Sequence, residues 1–369
     1  MLDPIVNFFV LVFDWIGRAV GWVIAACLWP FVAFAGWVRK RGFVIKSIVS
    51  LIVLVLVIGY GMVFYQTQFW HGFNPDYARA YEFEKVTSRP GEPIEGQEGQ
   101  CGPSMIMQVS ADLTDFNVNQ NSWISSTLLF KLGLFGLDWK YTPWFDNKAA
   151  FQLGINNIVR RTAFEAVDRL GRVRGTSQID QALQDARQNI NYSEDLWYFA
   201  LDPFGPKSPT PTSYRAAEQN FRTFNNRLKT CVALFDPRAD NLLRFLDQMS
   251  NTIGSTSDIL DKQSRASNAG WFDTRADDRF WFTYGQLYAL NGILAAARSD
   301  FKDVVGERNL VKVWNEMQDQ LREALDIDPL IISNGAEDAF VMPSHLSTMG
   351  FKLLRVRANM TEMRDILDR

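Results

Sequence analysis

The stretch from Trp271 to Tyr288, WFDTRADDRFWFTYGQLY, holds the densest group of ionisable and aromatic side chains in this sequence. Asp273, Asp277 and Asp278 supply hard oxygen donors of the kind that bind a divalent cation. Their order does not match a known Ca²⁺ loop, and a second reading competes. Thr274 followed by Asp277 has the form of a capping box, and acids in a first helical turn answer the helix dipole. Arg275 and Arg279 would then neutralise the carboxylates locally. The expectation is a helix start, with no metal and no cofactor. His71 and His345 are the chain's two histidines. Ser344 precedes His345, but a Ser–His nucleophile depends on convergence in space rather than adjacency in sequence. GxSxG, HExxH, P-loop and CxxC patterns are all absent from the sequence. A non-enzymatic protein is the expectation these residues favour, and an envelope hydrolase using Asp277 or His345 is a remoter alternative.

The elements that position these residues begin at a membrane. Ser47 to Tyr65, SIVSLIVLVLVIGYGMVFY, is nineteen residues without a charge. At 1.5 Å per residue it crosses a hydrocarbon core of roughly 30 Å. A transmembrane helix is expected over 44–66. Arg39, Lys40, Arg41 and Lys46 crowd its near side, and on its far side the first basic residue is Arg79. The positive-inside rule then keeps the basic cluster in the cytoplasm and exports the rest of the chain. Phe69, Trp70, Phe73 and Tyr77 continue past the span as an aromatic collar suited to the outer interface.

Residues 5–38 form a second apolar segment. Trp15, Trp22 and Trp29 recur every seven residues on one helical face, with Trp37 near the end, and Gly17, Gly21 and Ala25 form a stripe of small residues. Two arrangements compete. A spanning helix would make a hairpin with the next span, its small-residue stripe packing against another helix. A helix lying in the interface would place the tryptophans at headgroup depth. Both export the large domain. A cleaved signal peptide fits poorly, because the leading segment is long and carries Asp3 and Asp14.

Formal net charge is −3, with residues 1–65 at +3 and the remainder at −6. A mildly acidic, well-mixed domain lacks the basic footprint of a nucleic-acid binder. Beyond residue 70, hydrophobic residues recur at helical spacing and no stretch alternates like a strand. Residues 86–104 form a long Gly- and Pro-rich loop. Leu128 to Phe145, LLFKLGLFGLDWKYTPWF, is unusually apolar. It is expected in the core, with a lip resting on the outer leaflet as the alternative. Four prolines within 202–213 suggest an internal boundary between helical regions 76–205 and 210–369. Helices are expected near 213–234, 238–253, 274–305 and 307–327. In the last helix, Leu346, Met349, Leu353, Val356, Met360, Met363 and Leu367 recur at alternating spacings of three and four, the seam of a coiled coil or of bundle packing. A Met-rich seam is soft and suits either an adaptable internal core or a partner groove, and it is the candidate partner seam of the chain. Cys101 and Cys231, both on the exported side, are candidates for a disulfide that would tie the 86–104 loop to a helix, or else two unpaired thiols.

RKRGF at 39–43, WFDTRADDRFWFTYGQLYAL at 271–290 and HLSTMGFK at 345–352 give the chain its layout. In these it resembles a family of uncharacterised proteobacterial inner-membrane proteins known by a domain-of-unknown-function label. The resemblance implies a bacterial inner membrane and a periplasmic domain, and it brings no activity, cofactor or site residues. The expectation is a mainly α protein: a membrane anchor over 1–70, followed by a large extracytoplasmic helical bundle. Its expected role is that of an envelope scaffold or accessory subunit, in contact with membrane lipid and with a protein partner or a second copy. A lipid-handling module is the alternative.

Overall fold

A computed structural model of the chain describes residues 3–171, 179–201, 204–266, 273–336 and 342–369. Trp271, which opens the stretch singled out in the sequence, lies outside them. The chain divides into two compact units, Met1–Met62 and Val63–Arg369.

The first unit holds helix α1 (Asp3–Arg39) and most of α2 (Phe43–Gln68), joined by a short turn at which Arg41 lies 4.6 Å over the Trp37 ring. Both helices are long and apolar enough to cross a membrane. Pro30 lies inside α1, which runs on through it as one helix. Its length is about 55 Å, well beyond a hydrocarbon core, so in a membrane part of it lies at headgroup depth under either arrangement. Trp15, Trp22, Trp29 and Trp37 are exposed. Gly17 and Gly21 have nothing within 4 Å of where a Cβ would stand, so the small-residue face is open in this unit. Asp14 and Arg18 form an ion pair at 2.8 Å that neutralises the only charges within the apolar run.

The second unit is helical. It contains α3 (Met105–Asp115), α4 (Leu128–Leu132), α5 (Asn147–Glu165), α6 (Gln181–Ile190), α7 (Thr210–Lys229), α8 (Ala239–Ala266), α9 (Ala276–Asp300), α10 (Lys302–Glu307), α11 (Val311–Leu325) and α12 (His345–Leu367). One antiparallel hairpin, β1 (Phe199–Leu201) with β2 (Phe204–Pro206), is the sole sheet among the described residues. Helix α9 is central. Every residue from Thr283 to Leu294 is buried, more than three full turns, as befits a helix enclosed by others. Its neighbours are α3, α5, α8, α11 and α12.

The α5–α9 crossing is the closest in the fold. A Cβ on Gly154 would stand 2.1 Å from the Phe282 carbonyl oxygen, and one on Gly285 2.1 Å from that of Phe151. Each glycine accepts the other helix's backbone, so neither tolerates a side chain.

The Pro-rich 202–213 segment separates no cores: one hydrophobic cluster runs from Met105 to Leu367 and includes residues on both sides of it. Of the two readings of the α12 seam, the internal core is the one its packing fits. Leu346, Met349, Leu353, Val356, Met360, Met363 and Leu367 are all buried, and α12 packs on α8 and α11 of the same chain. A seam with heptad spacing is satisfied equally by a partner or by a neighbouring helix of its own bundle, and here the chain supplies the neighbours.

The 86–104 loop is pinned. Cys101 and Cys231 form a disulfide with Cα atoms 5.3 Å apart. The Cys101 amide donates to the Lys229 carbonyl at 2.8 Å, and Pro90 pairs with Gly102 across the loop. The bond joins positions 130 residues apart.

Gly285→Ala is expected to lower stability by about 3 kcal/mol, because the intruding methyl meets backbone rather than a movable side chain. An unchanged thermal melt would show that α5 and α9 separate at little cost. Cys231→Ser should destabilise by about 2–5 kcal/mol. The same loss should appear in the native chain on adding reductant, and a melt indifferent to reductant would refute it.

Candidate functional site

The end of α2 and the segment after it are built into the second unit. Lys148 is buried, and its ammonium donates to the Gln66 and Phe69 carbonyls at 2.9 and 2.8 Å. These are among the carbonyls a helix C-terminus leaves without intrahelical donors, and a cation there also suits the dipole. Burial alone lowers the Lys148 pKa to about 8. Trp70 stacks on Phe151 with centroids 4.9 Å apart and meets Trp281 edge-on. Tyr77 stacks on Tyr288 at 4.5 Å and donates its hydroxyl to the Tyr288 carbonyl at 3.0 Å. The collar after the span is thus a plug in the α5–α9 junction. Its residues fill space that two close glycine-bearing helices leave on either side of their crossing.

Beside this junction the Leu128–Phe145 stretch departs from its expectation. Trp139 is buried with Phe130 stacked on it, and Phe145 lies 6.0 Å from Phe64, but most of the large apolar residues of the stretch are exposed. Leu132 is 57% exposed, Phe135 76%, Leu137 68%, Tyr141 58% and Trp144 48%. Leu134 and Leu137 exchange backbone hydrogen bonds at 2.8 and 3.0 Å around a two-residue turn of Phe135 and Gly136, both with positive φ. Such a turn suits glycine but costs a bulky aromatic, and it holds Phe135 at the tip of an apolar lip. Lys131 and Lys140 flank it, pairing with Asp195 and Asp138. The lip is tied to the last turn of α2 by the Gln68 amide, which donates to the Trp144 carbonyl at 3.1 Å.

The three aspartates do not converge on a cation. Asp273 accepts from Gln263 and from Asn334, the latter at 2.7 Å, and so joins the end of α8 to the segment before α12. The expected capping box is absent, since α9 begins with Arg275 in the cap position and no side-chain cap bond. Asp277 and Asp278 turn inward toward Asp146, a residue not singled out in the sequence. Asp146 shares a side-chain hydrogen bond with Asp278, and among the described residues Oδ2 of Asp277 has no hydrogen-bond partner. Burial first, then the charges of Asp278 and Asp277, raises Asp146 far above the usual carboxylate range. Burial and Asp278 push Asp277 up to about 7. Asp278 is raised by burial, against the favourable fields of Arg279 and Arg275. Among the described residues no group of three or more His, Cys, Asp or Glu side chains is disposed to hold a metal ion. Sequence reasoning missed Asp146 because it lies far from Asp277 in the chain and only the α5–α9 crossing joins them.

The histidines are structural anchors. The Ser333 amide donates to His345 Nδ1 at 3.0 Å, so that nitrogen carries no proton. The Ser333 hydroxyl donates to the Pro343 carbonyl at 2.7 Å, and its oxygen lies 3.0 Å from His345 Nδ1. Ser344 caps α12 by accepting from the Ser347 amide at 3.2 Å. His71 lies 3.1 Å from the Tyr65 hydroxyl and is held through its backbone by Asn121.

The arrangement is that of a helical domain led by two apolar helices, with a lip and an aromatic plug where the second helix ends. The chain belongs to the family of uncharacterized proteins conserved in bacteria designated DUF2333, whose model matches residues 112–271 and 260–369. No curated protein and no solved structure matches it.

An acid whose folded pKa lies above its unfolded value stabilises most below the unfolded value and loses that contribution as pH rises through the folded one. For Asp277 the window runs from about 4 to about 7. The melting temperature should therefore fall as pH rises across it. Asp277→Asn should flatten that dependence and raise the melting temperature at pH 8 by about 5 °C or more. A variant whose pH profile parallels the native one would remove Asp277 as the cause.

Proposed function

We propose that this protein is a non-enzymatic accessory component of the bacterial envelope. In this reading α2 spans the inner membrane with Arg39, Lys40, Arg41 and Lys46 in the cytoplasm, and the helical unit is periplasmic. The lip rests on the outer leaflet and holds that unit in one orientation, so that it presents a fixed surface to a protein partner. The observation that carries this reading is the apolar lip packed on the last turn of α2. If α2 spans, its last turn sits at the interface, and the lip tied to it sits at the same depth. Leucines and aromatics enter the headgroup boundary there while Lys131 and Lys140 stay at its polar edge. Contiguous exposed apolar surface of this kind marks a membrane or protein contact. The open Gly17, Gly21 and Ala25 face offers a place for helix association within the bilayer.

The test is a nitroxide at Leu137→Cys in the full chain, with Cys27→Ser to remove the free thiol, reconstituted in phosphatidylethanolamine–phosphatidylglycerol vesicles. Collisions with oxygen should exceed those with an aqueous nickel chelate, with the reverse at Lys312→Cys. Equal aqueous access at both sites would sink the membrane-resting lip. The accessory role is read separately by cross-linking intact membranes. A recurring protein in stoichiometric amount supports it, and a partnerless monomer refutes it.

A further inference from the structure

The second unit carries a cleft of about 680 Å³ that the reading above does not use. Its walls are α9, the start of α10, α11, and the short 3₁₀ turns Tyr77–Tyr81 and Phe83–Lys85 that follow the aromatic plug. Helical spacing brings Arg298 and Ser299 of α9 to one wall beside Lys302, with Gln318 of α11 adjoining. Ser299 is 7% exposed and Gln318 8%, yet the Ser299 hydroxyl and the Gln318 amide nitrogen have no hydrogen-bond partner among the described residues. A buried donor without an acceptor costs about 1–3 kcal/mol, so two on one cleft wall call for an acceptor from outside.

The charges give that acceptor its sign. Arg79 pairs with Asp76, Lys85 with Glu82 and Arg322 with Asp319, each within ion-pair distance. Arg298 and Lys302 have neutral partners instead: Arg298 donates to the Asn315 side-chain carbonyl and Lys302 to the Thr87 backbone carbonyl. Both cations retain further N–H donors, and among the described residues neither has a carboxylate at ion-pair distance. On the opposite wall Glu84 is exposed and likewise in no ion pair among the described residues.

We infer that this cleft binds a small hydroxylated oxyanion, a phosphate or carboxylate compound. Its charged oxygens lie on Arg298 and Lys302, and its remaining acceptors take the Ser299 and Gln318 donors. Its hydroxyls face Glu84, whose carboxylate weakens a bare phosphate without excluding it and disfavours an acyl chain. Charge-assisted hydrogen bonds to two cations give the site its affinity, and the two buried donors give it orientation.

The site is tested with inorganic phosphate as probe and the full chain in detergent micelles, at ionic strength held constant with sodium chloride. Broadening of the phosphorus-31 resonance should saturate with added phosphate. Arg298→Gln should weaken that binding about tenfold or more, and Glu84→Gln should tighten it, because an opposing carboxylate is gone. Both melting temperatures should match the native chain. Glu84 is exposed and unpaired, so its variant decides alone if Arg298→Gln does not fold. Affinity changing in the stated direction supports the site. No saturable broadening, or affinity indifferent to both substitutions, overturns it.

Discussion

The reciprocal contact of Gly154 and Gly285 is the constraint on which the second unit rests. Each glycine lets the other helix's carbonyl approach to where a methyl would stand. At that separation the flanking positions cannot both hold large side chains from α5 and α9 alone. The space beside the crossing is filled from three sources: Phe151 of α5, Trp281, Tyr284 and Tyr288 of α9, and Trp70, Phe73 and Tyr77 from the segment after α2. The same crossing therefore builds the core and fixes the chain where it leaves the apolar helix. Offset and edge-on ring contacts add about 0.5–1.5 kcal/mol per pair beyond area burial, so these rings are part of the core of the second unit.

Helix ends are joined by buried side chains instead of by solvent. Asp300 at the end of α9 accepts from the Ser104 hydroxyl and from the Met105 and Ile106 amides, closing the start of α3. Asn225 of α7 accepts from the Ser104 amide at 2.8 Å. Lys148 does the corresponding work for the last carbonyls of α2. Such groups answer orphaned backbone donors and acceptors but lose their hydration in doing so. Burial pushes Asp300 up to about 7 even though three donors favour its ionised form. Desolvation outweighs hydrogen bonding here, as it does at Asp146 and Asp277, where backbone donors offset it only in part.

The apolar residues of the second unit thus serve two ends. Those at α9, α12 and the plug are consumed inside the bundle, whereas those from Leu132 to Trp144 are held outward by a tight turn at Phe135 and Gly136. The lip is rigid because it stands on Trp139 and Phe145, which pack inward. The lip is therefore an exposed apolar surface beside the end of α2, whereas the cleft walled by Arg298 and Gln318 is lined largely by charged and polar side chains.

Local patterns carried much of this into the sequence. The uncharged run from Ser47 and the seven-residue and three–four spacings stated helices and their apolar faces, because periodicity depends only on neighbours along the chain. Ser344 was legible as the cap of α12 for the same reason. The sequence left open whether Cys101 meets Cys231, and no local signal states a distance between residues 130 apart. Nor does a seam say who covers it: Met360 looks the same facing a partner or facing α8 of its own chain. Thr274 and Asp277 formed a capping pattern that tertiary packing overrode by drawing Asp277 inward to Asp146. Likewise Leu137 and Trp139 belong to one apolar run, and only the turn at Gly136 sent the first outward and the second in. Sequence by itself determined the elements and their apolar faces, since these follow from backbone geometry and local spacing. Tertiary structure alone decided which face meets which and which polar groups lose water, since both depend on atoms that chain order does not bring together.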